Sequence, residues 1–66
     1  MNIIINGEAK RLETPINVDE LLKDMGLAGR RVAVEINLEI IPRSRYGAQL
    51  LRENDRVEIV RAIGGG

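Results

Sequence analysis

Only one stretch of this chain has a clear helical period, and that stretch is too short to stand alone. Val18, Leu21, Leu22 and Met25 fall at i, i+3, i+4 and i+7, one face of an α-helix, while Asp19, Glu20, Lys23 and Asp24 cover the other. Asn17 lies three residues before Glu20, a capping-box arrangement with Asn in the place of Ser or Thr. Gly26 supplies the left-handed position that ends the helix. The result is about two turns, well short of the length at which a helix persists in water. It must therefore pack its apolar stripe on something, and the rest of the chain offers strands.

Ile3-Ile4-Ile5, then Asn6-Gly7, then Glu8-Ala9-Lys10-Arg11-Leu12 reads as a β-hairpin. Asn-Gly suits a type I′ turn because both residues tolerate positive φ. A two-residue loop pairs Ile5 with Glu8, Ile3 with Lys10 and Met1 with Leu12. Met1, Ile3, Ile5 and Leu12 then share one face, and Ile4 takes the other. Pro15 prevents further pairing. Val32, Val34 and Ile36 alternate with Ala33 and Glu35 as a half-buried strand, turned at Asn37-Leu38 into a partner carrying Ile41 on the same face. Leu38 is a poor occupant of a positive-φ position, which leaves the length of this loop, two residues or more, open. Ser44 to Leu51 is weakly helical, with Leu50 and Leu51 buried and Tyr46 partly so. Asn54-Asp55 turns the chain into a last strand, with Val57 and Ile59 facing one way and Val60 and Ala62 the other.

The order is strand, strand, helix, strand, strand, short helix, strand. The first and last strands are the most apolar and are expected side by side in the centre of a mixed sheet of about five strands. One main helix on one face makes a two-layer α+β roll, with Leu21, Leu22, Val34, Ile36, Val57 and Ile59 between the layers. The body spans residues 1–62, and residues 63–66 form a flexible glycine tail.

Sixty-six residues make a single domain that buries only about 60% of the surface of its unfolded chain, so the core is small. Ten basic and ten acidic residues balance, and Tyr46 is the one aromatic, which disfavours nucleic-acid binding. There is no cysteine for a disulfide or thiol nucleophile, and no histidine for general-base or metal chemistry. No apolar run approaches a membrane span and the opening does not read as a signal peptide, so a cytoplasmic monomer is expected. Glu35 and Glu39 read as solvated strand positions, not as a buried acid-base pair. Arg30-Arg31 and Arg43-x-Arg45 have the charge to meet an acidic partner, but in a balanced chain they read first as solvated surface. No residue stands out as catalytic, and no metal site is expected.

Two features remain. If Ile3, Ile5, Val34, Ile36, Ile41, Val57 and Ile59 face the helix, then Ile4, Ala33, Ile40 and Val60 share a sheet face with no helix left to cover it, a candidate partner interface with Arg61 and Arg43 at its rim. The second is Ile63-Gly64-Gly65-Gly66, which follows straight on from the last strand. Glycines have no β-carbon to limit their dihedrals, and extended chain advances roughly 3.3–3.6 Å per residue. Gly64 and Gly65 thus suit a narrow channel on another protein and would carry the Gly66 carboxylate into it. Taken alone, three terminal glycines also read as a frayed end.

The order of elements resembles the β-grasp, or ubiquitin-like, fold, ending in the diglycine of its carrier branch. Within that branch the chain resembles the ThiS family, the sulfur carriers of bacterial thiamine biosynthesis. The resemblance is carried by Ile3-x-x-Asn6-Gly7-Glu8 and the helix start Val18-Asp19-Glu20-Leu21-Leu22. It continues in Val32-Ala33-Val34-Glu35-Ile36-Asn37 running to Ile41-Pro42-Arg43, and in Asp55-Arg56-Val57-Glu58-Ile59-Val60 into the glycines. Leu38 stands where the family commonly has Gly, Tyr46 where it has Trp, and Asn54 where it has Gly; Asn tolerates the left-handed conformation best among the non-glycine residues. These departures bear on loop geometry and leave the diglycine untouched.

The resemblance implies a carrier and co-substrate, not an enzyme. An adenylating partner of the ubiquitin-activating type activates the Gly66 carboxylate with ATP, and sulfur from a donor such as a cysteine desulfurase replaces AMP. The resulting thiocarboxylate passes its sulfur to thiazole synthase. No cofactor is held by the carrier itself; ATP and the sulfur donor are used through the partners. A molybdopterin-synthase small subunit, a ubiquitin-like protein modifier and an unreactive β-grasp interaction module remain as alternatives.

Overall fold

The computed structural model describes residues 1–61. Five strands and one α-helix follow in the order β1 Asn2–Ile5, β2 Glu8–Arg11, α1 Val18–Asp24, β3 Val32–Ile36, β4 Glu39–Ile41 and β5 Arg56–Arg61. A single 3₁₀ turn, Arg43–Arg45, lies between β4 and β5. The strands form one sheet in the order β2-β1-β5-β3-β4. β1 runs parallel to β5, and the other neighbours are antiparallel. This mixed five-stranded sheet under one helix is the expected α+β roll, with the first and last strands adjacent.

The first hairpin has the expected register, Ile5 opposite Glu8 and Ile3 opposite Lys10. Asn6 and Gly7 take φ of 49° and 84°, the type I′ conformation. Met1 and Leu12 continue the pairing through Leu12 N–H donating to the Met1 carbonyl at 2.7 Å. The helix is closed by the full capping box: Asn17 Oδ1 accepts from Glu20 N at 2.8 Å, and Glu20 Oε1 accepts from Asn17 N at 2.9 Å. Val18, Leu21 and Leu22 are buried beneath it. Met25 is not, because the helix ends at Asp24 and Met25 turns out of the stripe as the C-cap before Gly26 at φ 74°. The core between helix and sheet is Ile3, Ile5, Leu21, Leu22, Val34, Ile36, Ile41, Val57 and Ile59, extended by Leu12, Val18, Tyr46 and Leu51.

Three local points are settled or corrected. The loop from β3 to β4 is the two-residue turn Asn37-Leu38, since Ile36 pairs with Glu39. Asn37 and Leu38 take φ of 51° and 71°, so Leu38 bears the left-handed conformation that its side chain disfavours. It is 89% exposed, so nothing packs its side chain in return. Leu38→Gly is therefore expected to stabilise the domain by about 1 kcal/mol, the lower end of the left-handed penalty, raising the melting temperature by roughly 4–8 °C. A thermal melt that is unchanged or lower would contradict this.

The second point, a correction, concerns Ser44 to Leu51. Instead of a short helix, the 3₁₀ turn ends at Arg45 and the chain becomes extended by Gln49. There Val18 N donates to the Gln49 carbonyl at 3.1 Å and Leu51 N to the Ile16 carbonyl at 2.9 Å, with Asn17 bridging Leu50. An extended segment alternates its side chains, so Leu51 is buried and Leu50 is 56% exposed. The third is Tyr46, which is buried, not half-buried, with its hydroxyl donating to the Val32 carbonyl at 3.4 Å.

Asn54 takes φ 68° at the turn into β5, as an Asn in place of Gly allows. Beside it, buried Asp55 accepts from Asn37 Nδ2 at 3.0 Å and from Arg52 N at 2.8 Å. Asn37 Oδ1 accepts in turn from Arg56 N at 3.0 Å. These bonds tie the β3–β4 turn to the start of β5.

Candidate functional site: the end of the central strand and the open sheet face

β5 is the strand from which the sequence continues into Ala62, Ile63 and the glycines, and it sits in the middle of the sheet. On one side it pairs with β3 over five positions, from Val57 opposite Ile36 to Arg61 opposite Val32. On the other side β1 covers only its beginning, with Ile4 and Ile5 beside Arg56 and Val57. Asn6 extends that second side. Its Oδ1 accepts from Ile59 N at 2.8 Å and its Nδ2 donates to the Ile59 carbonyl at 3.1 Å. A side-chain amide thus stands in for the next residue of backbone. The sequence marks Asn6 only as a turn residue; this second role depends on a contact 53 positions away.

The face opposite the helix carries no covering element among the described residues. Ile4, Ala33, Ile40 and Val60 all lie on it, as alternation requires, with Ile40 74% and Val60 57% exposed. They do not form one patch. Val60 lies directly opposite Ala33 at the end nearest the tail. The next row across the sheet is Glu58, Glu35 and Ile40, which places two carboxylates side by side. Ile4, partly buried, lies a further row away between Ala9 and Arg56. The structure therefore joins Ala33 with Val60, puts Ile40 beside Glu35, and separates Ile4 from the rest. The like-charged row is invisible in either strand alone, because it exists only once β3 and β5 are in register.

Gly64, Gly65 and Gly66, like the boundary between body and tail at residue 62, lie outside the described residues. Among the described residues no group of three or more acidic side chains is placed to hold a metal ion. None of their helices is long and apolar enough to cross a membrane.

With this geometry in place, the kinship of the chain can be read. A model of the ThiS family matches residues 3–66. The chain belongs to that family. It is similar to the crystal structure of a ThiS thiamine biosynthesis protein from Geobacter metallireducens, with a TM-score of 0.86, 33% identity and full coverage of both chains. The sulfur carrier protein ThiS of Escherichia coli is 27% identical, again over the whole of both chains. A thiazole synthase of Paramagnetospirillum magneticum is 44% identical across all 66 residues, which span 20% of that longer protein. The ThiS match confirms the β-grasp reading of the fold.

Proposed function

We propose that this protein is a sulfur carrier for thiazole formation in thiamine biosynthesis, with the Gly66 carboxylate as the atom-bearing end. The observation that carries the reading is the end-to-end likeness to ThiS proteins, in a chain whose central strand runs on into three glycines. The likeness to a thiazole synthase that contains such a domain supports that enzyme as the sulfur acceptor.

The chemistry follows from what a carboxylate lacks. Its oxygen is a poor leaving group, so it cannot accept sulfur directly. Attack of the Gly66 carboxylate on the α-phosphate of ATP releases pyrophosphate and gives an acyl-adenylate, whose AMP leaves readily. Sulfide adding to the carbonyl displaces AMP and leaves a thiocarboxylate directly. A persulfide from a donor such as a cysteine desulfurase displaces AMP to give an acyl disulfide. A thiol then cleaves its S–S bond, leaving the thiocarboxylate and a new disulfide on the donor side. Gly65 and Gly66 have no side chain to obstruct that attack, and Gly64 and Gly65 fit a narrow channel. The adenylating enzyme and thiazole synthase supply the catalytic groups; the carrier supplies the reacting end and a body to hold. Incubation with the adenylating enzyme, ATP and sulfide is expected to raise the intact mass by the difference between sulfur and oxygen. An unchanged mass would overturn the reading, and higher-mass conjugates would favour a protein modifier.

A tail that orders on entering a channel gives up conformational entropy, so the body must contribute recognition energy of its own. The open face beside the tail is the candidate, with Val60 and Ala33 as its apolar centre and Ile40 and Ile4 further out; Arg61 and Arg43, expected at its rim, lie instead toward the helix side. Val60→Asp places a charge there without disturbing Val57 or Ile59. It should fold with a nearly unchanged melting temperature, yet bind the adenylating enzyme about tenfold or more weakly, which is 1.4 kcal/mol or more. Calorimetric titration giving normal affinity would exclude this face as the interface.

A further inference from the structure

The arginines that are scattered in the sequence converge where the tail begins. Arg30, Arg31 and Arg43 surround a cavity of about 290 Å³ floored by Val32 and Tyr46. Arg30 and Arg43 also border a neighbouring cavity of about 260 Å³, together with Lys23 and a single carboxylate, Asp19. Val32, at the floor of the first cavity, is the residue paired with Arg61, the last position of β5. Tyr46, buried and bonded to the Val32 carbonyl, fixes the 3₁₀ turn carrying Arg43 against this end of the sheet. Arg43 and Arg45, two apart in sequence, part company here: Arg45 lines a different cavity with Gln49 and Leu50.

Arg30, Arg43 and Arg61 are three of the ten basic residues of a chain with no net charge, and Asp19 is the one carboxylate that lines either cavity. Arg31 stands beside them at the first cavity. The guanidinium groups of Arg30, Arg43 and Arg61 carry no ion pair among the described residues. All four residues are exposed.

We propose that these arginines form a collar at the root of the tail that docks on an acidic rim around the channel of the adenylating enzyme. This rests on the sulfur-carrier reading and adds to it the charge of the partner's surface. A tail entering a channel brings its root against the channel mouth, so the rim is what the collar meets. Positive charge at that point orients the carrier during encounter and speeds association, an effect that falls with ionic strength. The adenylating enzyme is the partner that needs this. In the related thiazole synthase a domain of this kind is already part of the same chain, where encounter requires no steering.

The test is ATP–pyrophosphate exchange by the adenylating enzyme at varied concentrations of full-length carrier and varied salt. The pair Arg30→Glu with Arg43→Glu should raise the half-saturating concentration by about tenfold or more at low salt, within the range that steering spans. The difference should shrink at high salt, with the saturated rate and the melting temperature unchanged. The pair Lys10→Glu with Arg52→Glu changes net charge equally at the other end of β5 and should have little effect. Should the glutamates disturb folding, Arg30→Gln with Arg43→Gln gives a smaller shift in the same direction. An unchanged half-saturating concentration, a shift indifferent to salt, or an equal shift in the Lys10 and Arg52 pair would overturn the collar while leaving sulfur carriage standing. Absence of exchange with the unaltered protein would overturn both.

Discussion

Adding one leucine after Gly66 is expected to reduce ATP–pyrophosphate exchange by about a hundredfold or more while the body melts as before. The added residue moves the carboxylate on by roughly 3.3–3.6 Å and places a branched side chain next to the reacting carbonyl. Displacement of a reacting group by as little as an ångström typically costs about a hundredfold, because the aligned geometry is lost. Deleting Gly66 is a weaker probe, since another Gly-Gly end remains one residue shorter. Exchange at the normal rate with the extended protein would show that the carboxylate of Gly66 is not the group activated.

Leu21→Ala should be the most damaging single change in the body. Leu21 is fully buried in the stripe of a helix with only seven residues, and its contacts span the layer between helix and sheet. Truncating a buried leucine to alanine costs about 2–5 kcal/mol, depending on how far the cavity collapses. Small domains hold roughly 5–15 kcal/mol in total, so the loss is a large share. The urea midpoint should fall accordingly, and the melting temperature by roughly 8–40 °C. An unchanged midpoint would mean that the helix contributes little to the cooperative core.

What could be read from the sequence was what neighbouring residues decide among themselves. Asn6-Gly7 sets its own turn, Asn17 and Glu20 cap each other, and the alternation in β3 and β5 chooses the inner face wherever the partner strand lies. The structure departs from local preference where a distant segment decides. Leu50 and Leu51 are equally apolar, and only the pairing of residues 49–51 with residues 16–18 determines which one turns inward. Leu38 disfavours a tight turn on its own preference, which leaves the loop length open from sequence. The antiparallel pairing of β3 and β4 overrides that preference at a cost the turn alone would not accept.

The candidate site divides in the same way. Membership of the open face follows from parity within each strand, which places Ile4, Ala33, Ile40 and Val60 on the same side of the sheet. Continuity across that face depends on the register between strands, and there Glu35 and Glu58 break it. The gathering of Arg30, Arg31 and Arg43 about Val32 needs the 3₁₀ turn and the β3 entry to meet, which no local pattern announces.

Asn6 closes the second side of β5 at Ile59, and its consequence is mechanical. The ladder bonds of β5 to β3 and β1 run across the strand, and a partner that grips residues beyond Arg61 pulls along it. Such a load falls on the bonds in shear, so they share it and must fail together instead of opening one after another. The Asn6 amide adds two of those bonds near the loaded end. Its hairpin anchors them in the same sheet. Under the proposed carrier role, in which partners engage the chain by its end, the load is carried by the whole set of bonds and not by one at a time.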